Sequence, residues 1–105
     1  MGKIKAIVKR PDEEFGHMTH ISSTLENLQS IVEGYIEAIE LGGGLVMICN
    51  EEGKIRGLKP NMIVGLDVIV GTIIICGENG EDFGDIPIDF KTWKAIKTRY
   101  DQIRW

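Results

Sequence analysis

The sequence predicts an α+β fold, in which a mainly antiparallel sheet carries two helices packed on one face. Short apolar segments rich in β-branched residues recur along the chain with glycine-rich turns between them, whereas only two segments space their apolar residues as a helix does. The predicted order is strand, helix, several strands and a final helix. At 105 residues and 43% hydrophobic content, the chain fits a single domain spanning residues 1–105.

The N-terminal third predicts a strand pair followed by a helix. Lys3–Lys9 has a strand pattern, Arg10–Gly16 is loop-like, and Met18–Ile21 can pair back as a hairpin. Ser23 with Glu26 three residues later predicts a capping box at the start of the helix. Four apolar residues at helical spacing follow, before Gly34 ends the helix: Leu25, Leu28, Ile31 and Val32.

The middle of the chain predicts a glycine-turned hairpin and a long central strand. Tyr35–Leu41 alternates apolar and acidic residues, Gly42–Gly44 turns the chain, and Leu45–Cys49 returns as the antiparallel partner. After a break at Lys59–Asn61, the β-branched run Asp67–Cys76 predicts one long buried strand at the centre of the sheet.

The C-terminal part predicts a polar loop and a basic helix. Gly77–Ile86 is loop-like with Asn79-Gly80 at its turn, and Asp89 can cap the final helix. Residues 89–105 hold five Lys or Arg against two Asp, a net charge of +3, which we interpret as the solvated face of an amphipathic helix or as a site for an anion or an acidic partner. The apolar stripe of this helix is Phe90, Trp93, Ile96, Tyr100 and Ile103.

The charge and hydropathy of the chain exclude two classes of protein. A net charge of −4 and a pI near 5.1 argue against binding to duplex nucleic acid. No apolar stretch is long enough to span a membrane, and the N-terminal segment is too short and too rich in lysine for a signal peptide. We therefore expect a soluble, cytoplasmic protein.

Cysteine, histidine and serine patterns indicate neither a metal site nor an enzyme. Cys49 and Cys76 stand alone in apolar runs, which is typical of buried reduced thiols, and His17 and His20 lack matching ligands elsewhere. No serine stands in a nucleophile elbow, and no local pattern combines a nucleophile with a base. We expect no metal, no cofactor and no catalytic residues.

Two polar segments, Asn50–Asn61 and Gly77–Ile86, remain as candidates for function. They combine amides, cations, carboxylates and an aromatic ring, a mixture that can hold a small ligand with an aromatic base and an anionic group. Ordinary turn chemistry explains the same composition, and that alternative stays open. The candidate ligand-binding residues are Tyr35, Asn50, Lys54, Arg56, Lys59, Asn61, Glu81, Asp82 and Phe83.

Three blocks give the chain a family resemblance: TLENLQSIVEGYIE, LVMICNEEGKIRGLKPN and DVIVGTIIICGENGEDFGDI. In this order they resemble domain-of-unknown-function family 3846, small proteins of bacteria, phages and mobile elements. The resemblance implies an accessory gene of the kind used against host defence, and it brings no activity or cofactor. The motif positions carried onto this chain are Tyr35, Asn50, Asn61, Gly71, Glu81, Asp82 and Phe83.

These observations lead to three hypotheses about function. The first is a non-enzymatic, homo-oligomeric protein that sequesters a nucleotide-like defence signal between the two polar loops, in the host cytoplasm if phage-encoded. Tyr35 or Phe83 would stack on the base, Lys54, Arg56 or Lys59 would pair with phosphate, and the two asparagines would orient the ligand. The second is an acidic inhibitor of a host protein, acting as a nucleic-acid mimic. The third is a hydrolase of a nucleotide signal.

Overall fold

The computed structural model describes residues 2–102, which form eight strands and two helices. The strands are β1 (Lys3–Lys9), β2 (His17–Ser22), β3 (Ile36–Gly42), β4 (Leu45–Asn50), β5 (Pro60–Val64), β6 (Asp67–Val70), β7 (Ile73–Asn79) and β8 (Asp82–Gly84). The helices are α1 (Leu25–Val32) and α2 (Phe90–Gln102). Neither helix, within the described residues, is long and apolar enough to cross a membrane.

Five strands form the main sheet in the order β2-β1-β7-β4-β3, and β8 pairs with the end of β7. Every pairing is antiparallel, and Ile75 of β7 lies between Ile7 of β1 and Met47 of β4. Strands β5 and β6 form a separate two-stranded antiparallel sheet. The predicted α+β class and the mainly antiparallel sheet are confirmed.

The two helices lie on opposite faces of the sheet, which corrects the prediction that they share one face. Met47 and Ile75 pack into one core cluster with Trp93 of α2, whereas Ile48 and Ile74, their chain neighbours, pack into the other with Leu28 of α1. Side chains alternate faces along a strand, so central strands that are apolar at every position need cover on both sides.

Helix α1 begins one residue later than the capping box predicts. Thr24 has an extended backbone, and its hydroxyl accepts a hydrogen bond from the backbone N–H of Asn27 at 3.3 Å, so Thr24 and not Ser23 is the N-cap. The Thr24–Asn27 pair is thus shifted by one residue from the predicted Ser23–Glu26 pair. At the other end Glu33 adopts a left-handed conformation with φ of 67°, and the backbone N–H of Gly34 bonds the Gln29 carbonyl at 3.0 Å.

The predicted long strand over residues 67–76 is divided in two at Gly71. Gly71 has φ of +79°, and a Cβ there would lie 2.8 Å from Cδ1 of Leu58, so the chain turns where glycine alone fits. The apolar run therefore supplies β6 on the small sheet and β7 at the centre of the large one. The predicted break at 59–61 instead opens β5, and the predicted loop 77–86 contains the end of β7 and all of β8.

Helix α2 begins at the predicted cap, because Asp89 Oδ1 accepts the backbone N–H of Thr92 at 2.8 Å. Trp93 is fully buried and donates its indole N–H to the Phe15 carbonyl at 2.9 Å, which ties the loop 10–16 to the helix. Lys97 is also buried and bonds Asp101 at 2.7 Å, so it does not belong to the solvated face. The predicted stripe position Ile103 lies outside the described residues.

Candidate functional site

The two polar segments lie at opposite ends of α1. Residues 78–79 and 81–85 line a cleft with Thr24 and Leu25 at the start of the helix, whereas Arg56 lines a cleft with Gln29 and Tyr35 at its end. The larger cleft contains no residue of 50–61, and the smaller contains none of 77–86. The structure thus divides the nine candidate residues and does not bring the two loops into one cavity.

The cleft at the end of α1, hereafter the Tyr35 cleft, measures about 470 Å³ and is lined by Gln29, Ser30, Gly34, Tyr35, Glu52 and Arg56. The Tyr35 side chain is 64% exposed and immediately precedes β3. The exposed Arg56 guanidinium is held in place because its Nη1 donates a hydrogen bond to the Glu33 carbonyl. An exposed aromatic ring, a guanidinium, an amide and a hydroxyl therefore share one cleft.

Gly34 makes room for the polar side chains beneath this cleft. A Cβ at Gly34 would lie 2.6 Å from Asn50 Nδ2 and 2.8 Å from Arg56 Nη1. The Asn50 amide is buried, donates to the Val32 carbonyl at 3.0 Å and accepts the Glu52 N–H at 2.7 Å. Asn50 and Arg56 thus satisfy carbonyls that the helix leaves unpaired. Asn50 supports the cleft without lining it.

The cleft at the start of α1, hereafter the Phe83 cleft, is larger, at about 760 Å³. Phe83 is half-buried and packs against the core cluster that holds α1. The carboxylates of Glu78, Glu81, Asp82 and Asp85 also line this cleft, which makes its electrostatic character acidic. It therefore disfavours a phosphate-bearing ligand. The full lining is Gly2, Lys3, Ile4, Ser23, Thr24, Leu25, Leu28, Glu78, Asn79, Glu81, Asp82, Phe83, Gly84 and Asp85.

The remaining candidates lie outside both clefts. Lys54 forms an exposed ion pair with Asp67 across the groove beside β6. Lys59 is exposed, and its carbonyl accepts the Gly71 N–H at 2.7 Å. Neither cation lines the Tyr35 cleft or the Phe83 cleft.

Asn61 is bonded to a buried lysine. Its Oδ1 accepts from the Lys9 ammonium at 2.7 Å, and its Nδ2 donates to the carbonyls of Lys9 at 2.9 Å and Gly71 at 2.8 Å. Lys9 is 1% exposed, and burial, with a smaller effect from the charge of Lys97, lowers its pKa to about 8. These bonds fasten the small sheet to β1, a structural use of the Asn61 amide.

The two cysteines are buried and reduced, as the sequence predicts. Burial raises the pKa of Cys49 to about 11 and that of Cys76 to about 12, so both thiols stay protonated at neutral pH. Within residues 2–102, no group of three or more His, Cys, Asp or Glu side chains is placed to hold a metal ion.

Gln29 and Ser30 complete the Tyr35 cleft and were not among the residues predicted from the sequence. Both occupy the last turns of α1, shortly before the left-handed Glu33 and Gly34 that end it. The sequence does contain a signal for these two residues. The chain reverses direction at the glycine that ends the helix, so polar residues in the last helical turn lie near the residue after that glycine, here Tyr35. Arg56 bonds the carbonyl of Glu33, 23 positions earlier in the sequence, and the fold thereby brings it to the same cleft as Gln29 and Ser30.

The fold and these two clefts define a small α+β protein with one helix between two separate surface clefts. Residues 4–100 match the model of the family described as domain of unknown function, DUF3846, and the chain belongs to this family. The resemblance drawn from the three sequence blocks is thus confirmed. No curated protein and no solved structure matches the chain.

Proposed function

We propose that this protein binds a small nucleotide-like molecule in the Tyr35 cleft and releases it unchanged. The observation that carries the proposal is that Tyr35 and Arg56, separate in sequence, line the same cleft. Its volume of about 470 Å³ falls within the range of small-molecule sites.

Each lining residue has a role that follows from its chemistry. The exposed Tyr35 ring offers a face on which a base can stack, a contact worth about 1–3 kcal/mol per base. One N–H of Arg56 donates a hydrogen bond to the Glu33 carbonyl, and its other N–H groups can donate to phosphate oxygens. The amide of Gln29 and the hydroxyl of Ser30 can bond the edge of the base or the sugar.

Arg56 decides whether an anion binds in this cleft. The carbonyl end of α1 carries the negative end of the helix dipole, and Glu52 adds a carboxylate to the lining. Both oppose a phosphate, so the fixed guanidinium has to supply the compensating charge. Loss of that charge should therefore weaken binding more than loss of an ordinary surface arginine.

The biological role we propose is sequestration of a defence signal in the host cell. The setting implied by the family resemblance, phages and mobile elements, supports this role, because a protein that removes a nucleotide signal would protect such an element. Tight binding with slow release is then sufficient, and no bond of the ligand needs to change.

The test is a thermal-shift screen against linear nucleotides, cyclic nucleotides and ADP-ribose derivatives. A ligand at about a hundred times its dissociation constant adds about 2.7 kcal/mol to stability, a readily measured shift. Heating the complex and weighing the released molecule by mass spectrometry should return the ligand intact. A chemically altered product would instead identify a hydrolase.

Variants locate the binding site. Tyr35→Ala and Arg56→Gln should each reduce the ligand-induced shift, whereas Phe83→Leu and Lys54→Gln, outside the Tyr35 cleft, should leave it unchanged. Circular dichroism of each free variant checks that the fold is retained. No shift with any member of the panel, or a shift abolished only by Phe83→Leu, would refute the proposal for these ligands.

A further inference from the structure

The outer edge of β3 is unpaired within the described chain. Strand β3 pairs with β4 on one side, and no strand of residues 2–102 pairs with its other side. It runs for seven residues, which is long for an exposed edge, and presents its free backbone N–H and C=O groups to solvent.

A groove lined by both apolar and charged side chains lies on the face of β3 next to this edge. It measures about 130 Å³ and includes Ile39 of β3, Ile55 of the turn after β4, and Val68 of β6. Ile55 is 89% exposed and Val68 is 37% exposed, so both leave apolar surface uncovered. A strand added to β3 would direct alternate side chains toward this groove, because side chains alternate along a strand.

The charges around the edge are acidic. Glu37 and Glu40 stand on β3 itself, and Glu51 and Glu52 lie in the turn that lines the groove. The cation in the groove lining, Lys54, is already paired with Asp67. The other outer strand of the sheet, β2, has the sequence HMTHIS and carries no carboxylate.

We propose that the free edge of β3 is a docking surface for an extended basic segment of another protein, which adds a strand to the sheet. Main-chain hydrogen bonds to β3 would supply affinity, and an apolar side chain would fill the groove over Ile39 and Ile55. Flanking Lys or Arg residues would face Glu37 on the groove side of the sheet and Glu40 on the other side. This proposal is independent of the Tyr35 cleft.

A second copy of the chain does not fit this edge. Joining two β3 edges, with strands about 4.8 Å apart, would bring Glu37 and Glu40 of both copies into one strand pair, and the described residues around the edge offer no unpaired cation between them. Charged residues on an edge strand are a recognised means of preventing such self-pairing. Charge complementarity therefore selects a basic partner that differs from this chain.

The experiment uses a synthetic probe, the peptide acetyl-Lys-Thr-Val-Lys-Val-Thr-Lys-amide, which as a strand carries two valines flanked by lysines on one face and a central lysine on the other. Titration of the labelled protein, monitored by NMR, should shift the backbone amides of β3 and slow their hydrogen exchange. The same peptide with N-methyl groups on its three central residues keeps every charge and side chain but loses backbone donors on both of its edges. It should bind about tenfold more weakly or not at all.

Charge variants provide the matched control. The double variant Glu37→Lys/Glu40→Lys should bind the peptide at least about tenfold more weakly. The double variant Glu14→Lys/Glu81→Lys changes net charge equally at two exposed positions outside β3, and it should retain the affinity.

Three results would overturn the proposal. They are equal binding of the N-methylated peptide, equal loss of affinity in both double variants, or amide shifts that avoid β3. The first two would reduce the effect to general electrostatic attraction. Sedimentation of the unliganded protein adds a further check, because a dimer lost in Glu37→Lys/Glu40→Lys would make a second copy the occupant.

Discussion

Replacing Gly77 by alanine should destabilise the protein although the position lies in a strand. At an ordinary strand position, alanine is favoured over glycine by about 0.5–1 kcal/mol. At Gly77, however, the added Cβ would lie 2.1 Å from the carbonyl oxygen of Asp85, and contacts below 3.0 Å are essentially never found. The Asp85 backbone would have to move away by about 1 Å.

That movement breaks contacts that fix the start of β1. The Asp85 side chain accepts the Lys5 N–H at 2.8 Å, and the Ile86 N–H donates to the Lys5 carbonyl at 2.8 Å. Losing such bonds costs about 0.5–1.5 kcal/mol each, and overpacking adds about 1–3 kcal/mol. We therefore expect Gly77→Ala to lower the free energy of unfolding by about 2–4 kcal/mol.

Urea denaturation followed by circular dichroism measures this loss, with Gly2→Ala as the control. A Cβ at Gly2 meets nothing within 4 Å, so this variant should stay within about 0.5 kcal/mol of the parent. Hydrogen exchange at the amide of Ile86 should also accelerate in Gly77→Ala. If Gly77→Ala were as stable as the parent or more stable, the close approach of the two backbones would be refuted.

Three further predictions concern polar groups that are buried or half-buried. Asn61→Leu removes the amide that accepts from the Lys9 ammonium and should cost about 2–4 kcal/mol in urea denaturation, whereas Asn79→Leu, at an exposed position, should be nearly neutral. Because burial lowers the pKa of Lys9 from 10.5 to about 8, the folded state binds fewer protons than the unfolded state between these values. Lys9 should therefore add up to about 3 kcal/mol of stability as pH rises through that window. The contribution of Lys9 is measured as the difference in unfolding free energy between the parent and Lys9→Met at each pH. Ionisation of the two thiols lowers stability above about pH 9 in both proteins, so it cancels in this difference. Cys49 and Cys76 should react with a thiol reagent only as fast as the native chain opens, so fast native-state labelling would contradict their burial.

The sequence predicts best those features that short segments determine alone. Helix α1 follows from the spacing of Leu28 and Val32 and from the glycine after its end. The turn between β3 and β4 follows from Gly42–Gly44, each of which has a positive φ. Asp89 likewise caps α2 as its position before the apolar stripe predicts.

Features that depend on distant packing were predicted wrongly. The run from Asp67 to Cys76 contains enough apolar residues for one strand or for two, and only the packing of Leu58 against Gly71 divides it. The opposite placement of the helices was in principle readable from LVMIC and IIIC, which are apolar at consecutive positions and therefore on both faces. Strand β8 was predicted as a loop because its residues, Asp82–Gly84, are typical of turns.

The candidate binding residues likewise divide into those that stabilise the fold and those that line a cleft. Asn50 and Asn61 stand in polar segments that resemble binding loops, yet both amides bond remote backbone groups and stabilise the fold. Tyr35 and Arg56 line one cleft because the left-handed turn after α1 and the turn after β4 lie side by side. Composition identifies which residues can bind a ligand, but the tertiary structure decides which of them are free to do so.

Because β7 lies at the centre of the main sheet, the sheet cannot form during synthesis until β7 has left the ribosome. The hairpins β1–β2 and β3–β4 emerge early, but each borders β7, whose residues 73–79 are made after both. At synthesis rates of about 5–20 residues per second, the edge of each hairpin that later pairs with β7 stays unpaired and exposed for seconds. Nascent chains stalled before residue 73 should therefore be far more dependent on chaperones than chains stalled after β7 has emerged.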